Sequence, residues 1–251
     1  MILEVSARCD IGLVRARNED IILVGNELLR DCAATYRFDV NEHTQPLVIA
    51  VADGMGGHKG GAAASQLVAT DMYLAAYGIG LDLNAEDMKA VLKEKMTEIH
   101  RRLKTEGDAD TEKANMGSTM VGLLFYGASV FLINVGDSRM YRYRDGILSQ
   151  FSRDHSLSAM TSNPEAPKNI LMNSFGAGSQ IFFDFDDITG RIIADDKLLL
   201  CSDGLTGELS DEEIELLLAQ NATPDMLVEA AREKGARDNV SVVVINYNSG
   251  A

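Results

Sequence analysis

Short apolar runs recur along the chain, and four of them are bounded by an aspartate. LVIAVADG (47–54), VFLINVGDSR (130–139) and KLLLCSDG (197–204) read as strands ending at Asp53, Asp137 and Asp203. ARDNVSVVVI (236–245) reverses the order, with Asp238 just before the run. Between the first two runs, segments 62–77 and 85–104 carry a helical period; in the second, Met88, Val91, Leu92, Met96, Ile99 and Leu103 share one face. YRYRDGILSQFS (141–152) predicts a hairpin turning at Asp145-Gly146, and DFDDITGRIIAD (184–195) a surface turn leading into a strand. Residues 156–180 lack periodicity and read as an irregular insertion. Ser210 with Glu213 forms a capping box, and Thr223 with Pro224 a cap and first-turn proline, so two more helices are predicted before the strand 240–245. Strands at the start, middle and end, with helices inserted in pairs, predict an α+β fold of antiparallel sheets covered by helices. With no repeat, no low-complexity tract and four prolines, one domain over residues 1–251 is expected.

The longest apolar stretch, 123–135, is broken by Gly127, Ser129 and Asn134, well short of a membrane span. The first ten residues, MILEVSARCD, show no basic segment followed by an apolar one, so no secretory leader is expected. Cys9, Cys32 and Cys201 are scattered, which suits a reducing cytoplasm and neither a disulfide framework nor a zinc site. The balance of 23 basic against 38 acidic residues gives a net charge of -15. That argues against nucleic acid as a partner and reads mainly as a solubilising surface.

A single Asp-Gly after an apolar run is most simply a turn. Four aspartates at such positions are harder to dismiss, because aspartate is depleted in strands and costly to bury without a counter-charge. Together Asp53, Asp137, Asp203 and Asp238 read as a metal site assembled from distant segments. An all-carboxylate set suits Mg²⁺ or Mn²⁺. Zinc is disfavoured, since the four histidines (43, 58, 100 and 155) form no His-Glu-x-x-His and no Cys-x-x-Cys occurs. Segment 184–195 fails as a calcium loop, having its glycine at the seventh position where the sixth is needed. Two hard cations bridged by a carboxylate suit displacement at phosphorus, and a phosphate calls for a guanidinium. The segment VRARNED (14–20) offers Arg15 or Arg17 ahead of Glu19 and Asp20. DGMGGHKGG (53–61) is no P-loop, lacking Gly-Lys-Ser/Thr; its glycines let the backbone approach the metals, with the Gly54 carbonyl as a ligand. His58 reads as structural or as part of the rim.

In order, RARNED, VADGMGGH, GST (117–119), VGDSRMYRYRDG, RDHS (153–156), LLLCSDGLT and ARDNVSVVVI closely resemble the metal-dependent protein phosphatases of type 2C, the PPM family, in their bacterial single-domain form. The match runs from residue 7 to residue 245. The resemblance implies a central β-sandwich of two antiparallel sheets flanked by helix pairs, an αββα order, with a short flap at 156–180. It implies hydrolysis of phosphoserine and phosphothreonine in proteins by a metal-bridging water or hydroxide, without a phosphoenzyme. Carried over, Asp53 bridges two core Mn²⁺ or Mg²⁺ ions, the Gly54 carbonyl binds one, and Asp203 and Asp238 bind the other. Asp137 with Asp203 matches a weaker third site. Arg15, four residues before Glu19, matches the phosphate-binding arginine, whereas Arg17 falls at a variable position; Glu19 and Asp20 match carboxylates that hold metal-bound waters. Met55 stands where eukaryotic members carry a histidine proposed as general acid, and the flap ends in NSFGAG where an arginine-containing run is more usual. The implied partners are phosphorylated proteins and a Ser/Thr kinase with its targets; the implied state is a cytoplasmic monomer. The competing readings are a pseudophosphatase that binds phosphoproteins, and a phosphatase of sigma-factor partner-switching regulators or of small phosphate esters.

Overall fold

Segments 47–52 and 242–245 are apolar without alternation, the mark of strands buried on both faces, and both faces are covered. The computed structural model describes residues 2–40, 45–56, 60–161 and 170–248. One six-stranded sheet contains β1 (Ile2–Asp10), β4 (Ala33–Asp39), β10 (Arg139–Arg144), β11 (Ile147–Gln150), β13 (Asp196–Cys201) and β14 (Val240–Asn248), in the order β11-β10-β13-β14-β1-β4. The other contains β2 (Ile21–Val24), β3 (Glu27–Leu29), β5 (Leu47–Ala52), β8 (Met120–Tyr126), β9 (Ser129–Val135) and β12 (Asp184–Asp187), in the order β12-β9-β8-β5-β2-β3. Every pairing in both is antiparallel. A two-stranded ribbon joins β6 (Gly54–Met55) to β7 (Gly117–Ser118).

The sheets pack face to face through Ile49 and Val51 of β5 and Val243 and Ile245 of β14. The intervening residues face outward onto helices. Val48, Ala50 and Ala52 meet α1 (Gly60–Ile79) and α2 (Ala85–Ala109) around Met72, Met88, Leu92 and Met96. Val240, Val242 and Val244 meet α4 (Asp203–Thr206), α5 (Asp211–Ala219) and α6 (Pro224–Glu233) around Leu205, Ile214, Leu218 and Leu227. The result is the expected αββα sandwich, and each fully buried Leu, Ile or Val in it contributes about 1.5–3 kcal/mol. The predicted caps are present: Ser210 and Glu213 close a reciprocal box, and the Thr223 hydroxyl accepts from the Met226 N–H ahead of Pro224.

Several expectations need correction. The second helix runs to Ala109, five residues beyond the predicted segment, and its inner face takes His100 while Val91 is only half-buried. The break read at Gly127 in the 123–135 stretch is a hairpin turn, with φ 58° at that glycine. Segment 184–195 opens with an edge strand, because Phe185 packs on Phe131 with ring centroids 5.1 Å apart. The insertion begins with a helix, α3 (Leu157–Thr161), and is pinned by bridges Ser156–Leu171 and Ser118–Phe175, with Phe175 fully buried. Residues 162–169 of that insertion, and His58, lie outside the described residues. Among the described residues no helix is long and apolar enough to cross a membrane.

Candidate metal centre

Asp53 leaves β5 with its peptide clamped on both sides. Its N–H donates to Thr119 Oγ1 at 3.2 Å, and its carbonyl accepts from the Thr119 N–H at 2.8 Å and the Ser118 hydroxyl at 3.0 Å. The Thr119 hydroxyl also pairs with the Ser138 hydroxyl at 2.8 Å, which ties the Asp53 strand to the turn carrying Asp137. Asp203 opens α4. That helix start is pressed so closely onto the next segment that a Cβ on Gly204 would stand 1.9 Å from the Asn239 carbonyl oxygen. All four aspartates predicted from the sequence are half-buried, so each keeps access to solvent.

Beneath them Asp20 is sealed, at 1% exposure, beside the Ser202 and Ser241 hydroxyls, which partly offset the effect of its burial. Glu19 turns instead to the start of α1, where its carboxylate takes the Ala62 N–H. A Cβ on Gly61 would stand 2.6 Å from that carboxylate and 2.8 Å from the Gly54 carbonyl, and one on Gly54 would stand 2.1 Å from the Gly61 carbonyl. These glycines allow a close approach of Glu19 and the start of α1 to the Gly54 peptide. Arg30 fixes the same stretch from below, donating to the Asp20 carbonyl at 2.9 Å and to the Ala62 carbonyl and Ser65 hydroxyl at 3.0 Å.

Both arginines left open by the residues alone are exposed, and Arg15 is the one that reaches the site carboxylates. It pairs with Asp238 at 2.5 Å and also feels Glu19 and Asp53. Arg17 is exposed and contributes its carbonyl, which accepts from the Asn239 side chain at 3.0 Å. Asn239 organises the whole loop: its amide nitrogen also donates to the Ile11 carbonyl at 2.9 Å, and its oxygen accepts from the Glu19 N–H at 2.8 Å.

The electrostatics are those of too many carboxylates in one place. Burial, then Asp20, Asp203, Asp238 and Asp137, push the Asp53 carboxyl well above its ordinary range. Asp20 is pushed up to about 7 by burial and by Asp203 and Asp238, and Asp137 to about 7 by burial and Asp203. Asp203 is raised by burial and Asp238, and its carboxyl stands within hydrogen-bonding distance of Asp53. Two carboxylates in contact need a shared proton or a cation between them. Asp20 Oδ2 and Asp203 Oδ1 are buried without any hydrogen-bond partner. This hard-oxygen set fits Mn²⁺ or Mg²⁺. Among the described residues no three side chains are spaced as a finished ligand cage, since Asp53 and Asp203 touch and Asp238 is drawn to Arg15.

A cleft of about 430 Å³ adjoins the centre, lined by Asp137, Arg139, Asp154, Ser156, Ser158 and Asp203. The small polar residues that build the site, among them Thr119, Ser138, Ser202, Asn239 and Ser241, escape a sequence reading. Their only signal is adjacency to an aspartate, which is also what ordinary turn chemistry produces.

Residues 31–240 match the family described as Protein phosphatase 2C. The serine/threonine phosphatase stp of Listeria innocua serovar 6a is 31% identical over 222 residues, covering 83% of this chain and 87% of that one. The S. agalactiae serine/threonine phosphatase superposes with a TM-score of 0.80 at 27% identity, covering 98% of this chain and 100% of that one. The catalytic domain of the serine/threonine protein phosphatase PstP, solved in complex with 2 manganese ions, superposes with a TM-score of 0.75 at 29% identity over 99% of this chain and 100% of that one. By its motifs, its sandwich and these matches, the chain belongs to the protein phosphatase 2C family of metal-dependent serine/threonine protein phosphatases.

Proposed function

We propose that this chain hydrolyses phosphoserine and phosphothreonine in proteins at a centre of two Mn²⁺ or Mg²⁺ ions, opposing a Ser/Thr protein kinase. One observation carries the reading: Asp53, Asp203 and Asp238, far apart in sequence, converge above the buried Asp20 with two carboxyl oxygens left unpartnered. A related catalytic domain that carries 2 manganese ions supports the ion count. In this reading Asp53 would be shared by the ions, the Gly54 carbonyl would help hold one, and Asp203 and Asp238 would help hold the other. Asp137 with Asp203 forms a weaker third site at the mouth of the cleft. Bound there, the ions supply Lewis acidity and a nucleophile for in-line displacement at phosphorus.

The chain's own groups do the rest. Glu19 and Asp20 accept hydrogen bonds from water at the rim and floor of the centre. With Asp238 engaged in holding a cation, Arg15 would be free to present its planar fork to the phosphate. Met55 offers no proton, so the leaving serine or threonine oxygen takes its proton from water. The working unit in this reading is one domain over residues 1–251, a cytoplasmic monomer, with 156–180 as the flap beside the cleft. The free thiols of Cys9, Cys32 and Cys201 support that compartment.

Phosphate release from a phosphothreonine peptide, with Mn²⁺ and then with EDTA, tests the reading. Activity is expected only with the cation and is expected to vanish in Asp53→Asn; release that survives either treatment contradicts it.

A further inference from the structure

The RDHS segment (153–156) has no role in the chemistry described so far, yet two of its residues grip the turn that carries Asp137 from both sides. His155 is 1% exposed and binds both main-chain groups of Gly136, the residue before Asp137. The Gly136 N–H donates to His155 Nδ1 at 3.1 Å, and the His155 N–H donates to the Gly136 carbonyl at 2.8 Å. On the far side, Arg139, two residues after Asp137, donates from Nε to Asp154 Oδ1 at 3.0 Å and from Nη2 to Asp154 Oδ2 at 2.7 Å.

The same histidine reaches the return of the insertion and the edge strand. The Asn173 amide nitrogen donates to Nδ1 at 2.8 Å, the Met172 N–H donates to the His155 carbonyl at 2.8 Å, and Nε2 meets Asp184 Oδ2 at 3.1 Å. A backbone N–H can only donate, so Nδ1 accepts, the proton sits on Nε2, and Nε2–H donates to Asp184. The Asn173 orientation is fixed independently, because its oxygen accepts from the Phe182 N–H at 3.3 Å while its nitrogen donates to the Phe182 carbonyl at 2.7 Å. The next residue of the segment, Ser156, lines the 430 Å³ cleft with Asp137 and Ser158.

We infer that Asp154 and His155 are positioning residues, a two-point latch that holds the Asp137 turn and the Ser156–Ser158 wall in one register and so preforms the cleft for a phosphorylated protein segment. The inference rests on the cleft being the substrate entrance of the proposed phosphatase. Gly136 is at φ 114°, a conformation with little intrinsic preference for one geometry in glycine, so its register must be imposed from outside. Without the imidazole, the Gly136 N–H loses its partner and the turn relaxes. A small aryl phosphate, which needs only the carboxylates around Asp53 and Arg15, is indifferent to that wall. A phosphopeptide that runs along it is not.

The test compares full-length wild type, His155→Leu and His155→Gln in saturating Mn²⁺, with amide exchange at Gly136 and steady-state kinetics on a phosphothreonine peptide and on an aryl phosphate. His155→Leu is expected to speed exchange at Gly136 and to raise the peptide KM about tenfold. Its kcat and KM on the aryl phosphate are expected to stay within about twofold of wild type. His155→Gln, which offers an acceptor to Gly136, is expected to recover most of the peptide KM. Unchanged exchange at Gly136 in folded His155→Leu, or equal losses on both substrates, overturns the latch. Should His155→Leu fail to fold, His155→Asn, whose shorter side chain does not reach the Gly136 N–H, decides by the same measurements: faster exchange at Gly136 and a raised peptide KM with the aryl phosphate unaffected support the latch, and an unchanged peptide KM overturns it. If wild type hydrolyses neither substrate, the phosphatase reading fails, while exchange at Gly136 still decides whether His155 holds the turn.

Discussion

Arg15 lies 2.5 Å from Asp238, a residue 223 positions further along the chain. The pair is half-exposed, so as a surface ion pair it adds little stability, about 0–1 kcal/mol. Its interest is competitive: the carboxylate assigned to a cation is held by the guanidinium assigned to the phosphate.

Arg15→Ala is therefore expected to have opposite effects on the two ligands. It should lower kcat/KM for a phosphothreonine peptide about 100-fold, the scale of a lost bidentate charge-assisted contact. It should leave Mn²⁺ affinity equal or tighter, because Asp238 is released. Arg15→Lys should recover only part of the loss, since an ammonium lacks the planar fork. Calorimetric Mn²⁺ titration beside peptide kinetics checks both; weaker Mn²⁺ binding in Arg15→Ala would refute the competition.

The metal-free chain should lose stability as pH rises through neutrality. Asp20 and Asp137 are each pushed up to about 7, chiefly by burial, from an ordinary 3.8. A folded-state pKa above the unfolded one means that the folded chain holds more protons in that window. Its contribution is full below the unfolded value and is lost as pH climbs through about 7. The EDTA-treated chain should melt at a lower temperature near about pH 8 than near about pH 5, and Mn²⁺ should reverse the difference. Thermal denaturation at both pH values, with and without Mn²⁺, is the check; a flat profile without metal argues against this carboxylate crowding.

Asn239→Ala should loosen the loop that presents Arg15 and Glu19. It removes the donors to the Ile11 and Arg17 carbonyls and the acceptor for the Glu19 N–H. The expected cost is about 2–4 kcal/mol of stability, with a loss of about 10–100-fold in phosphate release. Urea unfolding and kinetics on the same preparation would show both; full activity would mean that the loop is held by other contacts.

Gly204→Ala should be far more damaging than a typical glycine replacement, because the new Cβ would stand 1.9 Å from the Asn239 carbonyl and push α4, with Asp203 at its start, off β14. A destabilisation above about 2 kcal/mol is expected, as for overpacking at an unyielding backbone contact. Gly190→Ala, where the added atom meets nothing within 4 Å, should be near neutral and serves as the control. Equal denaturation midpoints for the two variants would contradict the close approach.

Asp53, Asp137, Asp203 and Asp238 are legible in the sequence because each interrupts or flanks an apolar run, and the faces of β5 and β14 follow from the same runs. Asp20 is harder to read, since its setting is made by Ser202 and Ser241, contacts that exist only after folding. The reach of α2 to Ala109 is tertiary as well: past Leu103 the apolar period stops, and the last turn is held where Gly107 lies against Lys113 and Met116. DFDD (184–187) reads as a turn by composition and becomes a strand because the open edge of β9 accepts it and Phe185 finds Phe131. In the same way RDHS is legible in the sequence as a motif of the resemblance, while its contacts are not. Its partners Gly136, Arg139, Asn173 and Asp184 are assembled only by the fold.

The central claim is that aspartates from distant segments form one divalent-cation centre with Asp53 between two ions. Calorimetric titration of the metal-free chain with Mn²⁺, comparing wild type with Asp53→Asn, tests it most directly. The account predicts two strong sites per chain in the wild type and the loss of both when Asp53 is replaced; a variant that binds Mn²⁺ with wild-type stoichiometry and affinity would contradict it.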